Sequence, residues 1–389
     1  MSTFGFPALM ANDHRVLRLL RDNGPQSRAA LSVATGLSPT TITKIVAPLL
    51  DFGLLTEDSA DTPARVGRPA TKLRLNPSAI AVVGAHIGVG EVTVGIADGA
   101  ANMRLQRSIR FDVSSSPSEV LELLADAIDA ELRVWHGPAV IGVGVAVPGS
   151  ADIRHRTNVL SINLDWHDVP IADHLELRLR LPVVVEHNVR AMALADQRYG
   201  RPSELNLAYV YAQTGTGLGM VLNGEPFYSG AHGVSSLGHL RVDPSGRTCS
   251  CGSRGCVETV VSDAFLQEAV GASDGPDVGS SLLHVLEDRA RDGDLSARSA
   301  LTELVEYLGL GLASVINLMG PRTIVMGGFL AEASSSFLSE LAANVDSEIF
   351  PLLIDSYTFA LPTFRDSEGG SAGSATALEY LLFTPKRAT

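Results

Sequence analysis

The stretch Cys249-Ser-Cys251-Gly-Ser-Arg-Gly255-Cys256-Val-Glu258, with His239 ahead of it, holds all 3 cysteines of the chain. An odd set of cysteines packed into one short run suits metal ligation and not a disulfide framework. Three thiolates and an imidazole, from Cys249, Cys251, Cys256 and His239, make a soft-to-borderline donor set for a closed tetrahedral zinc ion. Four protein ligands leave no open position, so the zinc is expected to be structural. Gly252 and Gly255 allow the backbone to wrap tightly around it. The alternative, three buried cysteines and an unrelated histidine, leaves their clustering to chance.

Outward from this knuckle the pattern is α/β. Upstream lies a glycine-rich turn, Gly215-Thr-Gly217-Leu-Gly219, echoed by His86-Ile-Gly88-Val-Gly90. The echo suggests two related lobes around a cleft. Apolar runs at Ile80–Ala85, Glu91–Ala97, Val140–Ala146, Val183–Val185, Leu207–Tyr211 and Thr323–Met326 predict strands. Helical periodicity predicts helices at Ser118–Trp135 and Ala300–Leu318.

The N-terminal segment reads differently. Asn12 or Asp13 is placed to cap a first helix running to Arg21. Ser27 caps a second, Arg28 to Thr35, which ends at Gly36. Ser38 caps a third, with Pro39 at its first position. Ile42, Ile45, Val46 and Leu49 form the inner face of that third helix, which leaves Thr40, Thr41, Thr43 and Lys44 outward. Pro48 is expected to kink or end it. Two strand-like runs, Leu54–Asp58 and Thr71–Leu75, flank a loop carrying Arg65 and Arg68. This is the layout of a winged helix-turn-helix. Thr40, Thr41, Thr43 and Lys44 are expected to meet bases or phosphates of operator DNA, and Arg65 and Arg68 the adjacent groove or backbone.

Composition is consistent with this division. At 389 residues, 45% apolar and 19% charged, the chain is a globular protein of two or three domains. Net charge is −13, yet residues 1–76 carry nine Lys+Arg against six Asp+Glu, so DNA contact is confined to a mildly basic head. No membrane partner is expected, because no run of about 18 uncharged apolar residues occurs. The start MSTFGFPALM lacks the features of a secretory signal, which points to the cytoplasm.

The sequence resembles the ROK family of repressors, open reading frames and sugar kinases. The resemblance rests on Gly215–Gly219, on Ser236-Leu-Gly238-His239, and on the whole cysteine run ending at Glu258. It implies an N-terminal winged helix-turn-helix followed by a two-lobed, actin-like (ribonuclease H-like) ATPase fold. The expected domains are 1–76, the DNA-binding head; 77–186, a first lobe completed by a C-terminal helix near 371–383; and 187–370, a second lobe with the zinc site. It further implies that His239 and Glu258 border a sugar pocket, with Asn163 of Asn163-Leu-Asp165-Trp166, His187 and Asn188 as further sugar contacts. Pro148-Gly149 resembles another sugar-contacting segment.

The departures from the kinase pattern point away from catalysis. Asn188 stands where a general-base Asp is expected, His86 where a metal-organising Asp is expected, and Ser236 where a Glu is expected. The expected function is a sugar-responsive transcriptional regulator, a homodimer or dimer of dimers, with no kinase activity. The rival reading is an ATP-dependent sugar kinase with an accessory DNA-binding head.

Overall fold

The computed structural model describes residues 6–58, 71–152, 154–230, 233, 235–271 and 281–384. The head comprises α1 (Ala11–Asn23), β1 (Gln26–Ser27), α2 (Arg28–Thr35), α3 (Pro39–Asp51), β2 (Leu55–Asp58) and β3 (Lys72–Leu75). The caps of α2 and α3 form as expected: Ser27 Oγ accepts from the Ala30 amide at 3.1 Å, and Ser38 Oγ from the Thr41 amide at 3.1 Å. α1 differs from expectation. It starts one residue before Asn12, with Met10 at the cap position, and Asp13 reaches back to accept from the Met10 amide at 2.7 Å. Nor does Pro48 stop α3, which continues to Asp51. Pro48 and Lys44 are both exposed, so water can take the Lys44 carbonyl that proline leaves without an intrahelical donor. β1, too short to show a period in the sequence, pairs with β3 beside β2 in a three-stranded sheet.

The body continues through β4 (Ile80–Ile87), β5 (Glu91–Asp98), β6 (Met103–Arg110), α4 (Pro117–Val134) and β7 (Ala139–Val147). A small sheet of β8 (Ser150–Ala151), β9 (Asn158–Ser161) and β10 (Trp166–Val169) precedes α5 (Ile171–Leu179), β11 (Val183–His187) and α6 (Asn188–Ala195). Then come β12 (Leu207–Ala212), β13 (Thr216–Leu222), β14 (Glu225–Pro226), α7 (Asp263–Val270), α8 (Leu282–Arg291) and α9 (Leu295–Met319). The chain ends with β15 (Thr323–Gly328), α10 (Ser335–Glu348), β16 (Thr358–Ala360) and α11 (Glu368–Leu378).

Two five-stranded sheets repeat one plan. Their orders are β11-β7-β4-β5-β6 and β14-β13-β12-β15-β16. In each, the first three strands form an antiparallel meander, and the fourth and fifth add in parallel on the far side of the first. The glycine turns that echo one another in sequence join the first two strands of each sheet. α11 crosses the first sheet very closely: a Cβ on Gly84 would meet the Gly370 carbonyl oxygen at 2.1 Å, and one on Gly144 the Gly373 oxygen at 2.0 Å. α9 is long and apolar enough to cross a membrane, but most of that apolar stretch is buried, packed against α8 and α10.

The apolar core of the head does not stop at residue 76. Val16, Leu17, Leu20, Ile42, Val46 and Leu49 belong to one buried cluster with Ile80, Val82, Leu378, Leu382 and Phe383.

Candidate functional site

A cleft of about 1060 Å³ gathers residues from both glycine turns, from the first helical turns of α6 and α11, and from the cysteine knuckle. Asn163, His187, Asn188, His239 and Glu258 all line it, as do His86 and Ser236. Residues more than 90 positions apart in the chain thus meet in one wall. Of the run 163–166, Asn163 faces the cleft, whereas Trp166 is 2% exposed in the core beneath the first sheet.

The knuckle is fixed by its backbone. The Cys249 amide donates to the Ser253 carbonyl at 2.8 Å, and the Val242 amide to the Gly255 carbonyl at 2.8 Å. Gly255 sits at φ +67°, where an added Cβ would come within 1.5 Å of the Asp243 oxygen. Only glycine fits there. The side chains of His239, Cys249, Cys251 and Cys256 converge, with their donor atoms all within 4.8 Å of one another. Cys249 Sγ lies 3.6 Å from His239 Nδ1, and Cys251 Sγ 3.8 Å from Cys256 Sγ. Burial and the two facing thiols push Cys256 up to about 12, whereas hydrogen bonding, with the Ser253 backbone first, lowers Cys251. These four residues could hold a metal ion.

The same knuckle positions two cleft residues. The Glu258 amide donates to the Gly238 carbonyl at 2.9 Å, beside His239. The Glu258 carboxylate accepts from the Thr216 amide at 3.0 Å in the second glycine turn. A Cβ on Gly215 would meet Asn163 Nδ2 at 2.6 Å and Glu258 Oε2 at 2.7 Å, so the absence of a side chain there lets Asn163 and Glu258 approach.

Around α6 the electrostatics are unusual. Burial would push Glu186 up, but Arg190 and His155 beside it, and the Tyr228 hydroxyl, hold it near 2. Its Oε2 accepts from Tyr228 at 2.7 Å and from Tyr380 at 2.8 Å, and Oε1 is paired with Arg190. Burial, with Arg190 nearby, lowers His187 to about 4; burial lowers His86 to about 4. Both imidazoles are therefore neutral near pH 7.

In the head, Thr40, Thr43 and Lys44 are exposed on α3. Thr41 is half-buried, and its hydroxyl lies 2.8 Å from Ser38 Oγ at the cap. Thr43 donates to the Pro39 carbonyl at 3.0 Å. Arg65 and Arg68 lie outside the described residues. Exposed Lys72 and Arg74 of β3 were not among the candidates read from the sequence; their alternation with Leu73 and Leu75 was the available signal.

The ROK family matches residues 82–377, and a winged helix-turn-helix DNA-binding family matches residues 11–56. The chain belongs to the ROK family. It is 27% identical over 376 residues to the xylose repressor of Bacillus subtilis, covering 95% of this chain and 96% of that one. It is 26% identical over 379 residues to the DNA-binding transcriptional repressor Mlc of Escherichia coli, covering 94% and 92%. Among solved structures, a ROK family transcriptional regulator homologous to the E. coli MLC protein superposes with a TM-score of 0.81 at 26% identity, covering 96% of both chains. The ROK hexokinase of Thermus thermophilus superposes at 0.64 with 24% identity over 77% of this chain and 99% of its own, a likeness of fold alone.

Proposed function

We propose that this protein is a sugar-responsive transcriptional regulator, a repressor of carbohydrate-metabolism genes, whose ROK body senses a sugar and does not phosphorylate it. The observation that carries the reading is a winged helix-turn-helix joined to a ROK body in which the cleft positions 86, 188 and 236 hold His, Asn and Ser. The xylose repressor, Mlc and NagC names of the relatives support it.

In this reading Asn163, Asn188, Glu258 and the free ring nitrogen of His239 exchange hydrogen bonds with sugar hydroxyls, and His187 borders them. The loss of kinase chemistry follows from what remains in the cleft. An amide at Asn188 cannot take a proton near pH 7. His187, held near 4, lies well below the working pH at which a general base is most effective. Glu186, two residues before Asn188, is locked by two tyrosines and Arg190. A coupled ADP-release assay over a broad sugar panel tests this part of the reading, and sugar-dependent turnover near 1 s⁻¹, the low end for kinases, contradicts it.

The metal is zinc. With Zn–S near 2.3 Å and Zn–N near 2.0–2.1 Å, a regular tetrahedron has S···S edges of about 3.8 Å and S···N edges of about 3.6 Å. Two of the six separations, Cys251–Cys256 at 3.8 Å and Cys249–His239 at 3.6 Å, match these edges, and all four donor atoms lie within 4.8 Å of one another. Its role is to hold the knuckle, and through it His239 and Glu258.

Thr40, Thr43 and Lys44 of α3 face the major groove, Thr41 secures the helix start, and the positive charges of Arg65 and Arg68 suit contact with the adjacent minor groove or backbone. Operator DNA with two half-sites calls for a homodimer or a dimer of dimers. The working compartment is the cytoplasm.

A further inference from the structure

Two neighbouring helices run from the cleft to the DNA-binding head. α6 and α11 pack against each other. Asn188 at the start of α6, and Glu368 and Gly369 at the start of α11, line the cleft. Both helices end in a π-turn, Asp196–Gly200 after α6 and Glu379–Phe383 after α11. Such turns are rare and recur at functional sites. The second π-turn packs on α1 of the head, and His14 Nδ1 lies 2.9 Å from the Leu382 carbonyl.

At this junction one carboxylate serves two arginines from different parts of the molecule. Glu379 Oε2 lies 2.6 Å from Nη1 of Arg21, in α1, and 3.5 Å from Nε of Arg198, in the π-turn after α6. The Arg21, Arg198 and Glu379 side chains are only 12, 9 and 5% exposed. Arg21 Nη2 and both Nε and Nη2 of Arg198 are buried without a hydrogen bond. The other charges facing the pair are Asp22, 2.7 Å from Arg21, and Glu225, which lies 3.5 Å from Arg198 and also pairs with Arg18. A carboxylate fully satisfies one guanidinium in the bidentate geometry. Two buried arginines therefore compete for Glu379, and leaving donors unmet is costly.

We propose that α6 and α11 form a transmitter about 15 Å long, at 1.5 Å per residue, and that the Arg21–Glu379–Arg198 triad is the release point for the DNA-binding head. A ligand that shifts the cleft end of α6 displaces Arg198 relative to Glu379 and so changes the grip on Arg21. This rests on the regulator reading for the identity of the signal, but the competition itself is independent of any sugar.

The test uses the full-length chain and two variants outside the cleft, Arg198→Met and Glu379→Gln. Amide hydrogen exchange across residues 11–23 is measured without ligand. Competition predicts opposite signs: Arg198→Met leaves Glu379 to Arg21 and slows exchange, whereas Glu379→Gln speeds it. Each change should be about two- to thirtyfold, the range of mutations that alter coupling. If the triad is mere packing, both variants speed exchange, and that result overturns the proposal. Affinity for a duplex selected by the wild-type protein from a randomised pool is then measured with D-xylose, D-glucose or N-acetyl-D-glucosamine. Both variants should still bind the sugar that stabilises the wild type, yet lose its effect on DNA. A sugar response retained in both variants also overturns the transmitter. A wild type indifferent to every sugar counts against the regulator reading, and the exchange signs still decide the triad.

Discussion

The Glu258 carboxylate accepts the Thr216 amide at 3.0 Å, tying the cysteine knuckle to the second glycine turn across the cleft wall. That turn is braced by the residue assigned to a sugar. The cysteine knuckle, Glu258 and the second glycine turn are thereby joined in the cleft wall.

Removing the metal should therefore blunt sugar binding as well as folding. Structural zinc contributes on the order of 10 kcal/mol to the folding of small sites. Cys256→Ala is expected to abolish zinc in elemental analysis of the purified protein and to eliminate any sugar-induced thermal shift. Full sugar binding in a zinc-free protein would separate the knuckle from the cleft.

Gly255→Ala should damage the same unit from the backbone side. At φ +67°, with Asp243 oxygen 1.5 Å from the new Cβ, the knuckle must open. A loss of at least about 3 kcal/mol in urea melts, with zinc below one per chain, is expected for strain of this kind. Gly252→Ala, at φ +86° but with nothing within 4 Å, should cost less.

Much of this was legible in the sequence because it is local. Three cysteines, two glycine turns and Ser-capped helices are written in consecutive residues. The start of α1 was misread because Asp13 acts from inside the helix, on the amide before it. Pro48 does not end α3 because its cost depends on exposure of the Lys44 carbonyl. What stayed invisible is what long-range packing decides. Glu186 looks like an ordinary carboxylate until Tyr228, Tyr380 and Arg190 surround it. The merging of the head's core with Leu382 and Phe383 joins segments some 360 positions apart, beyond any periodicity.

Acid should destabilise the protein in two steps. His187 is lowered from 6.5 to about 4 and Glu186 from 4.5 to about 2. In each case the unfolded chain binds the proton first, so stability is present above the unfolded value and is lost on acidification. His187 and His86, lowered alike to about 4, act between about pH 6.5 and 4, and Glu186 between about 4.5 and 2. Urea midpoints measured at pH 8, 6 and 5 should fall, and His187→Gln should flatten that fall. An unchanged slope in the variant would remove His187 from the account.

The head should read DNA through α3. Lys44→Ala is expected to weaken binding to the selected duplex and to reduce the salt slope by about 0.9, the loss of one phosphate contact. Thr40→Ala should instead change sequence preference with the slope preserved. Because the head shares its core with α11, the fragment 1–76 should be less stable than the head in the whole chain. Undiminished DNA binding after deletion of residues 1–76 would place the interface elsewhere.

In the proposed regulator one molecule couples sugar to DNA. Fluorescence anisotropy of a labelled duplex selected by the protein, titrated across a panel of monosaccharides and disaccharides without ATP, measures that coupling directly. At least one sugar should shift the DNA dissociation constant by about five- to 150-fold, the usual span of allosteric coupling. The same sugar should bind the DNA complex with affinity altered by an equal factor. A DNA affinity unmoved by every sugar, including those that stabilise the protein, would contradict the account.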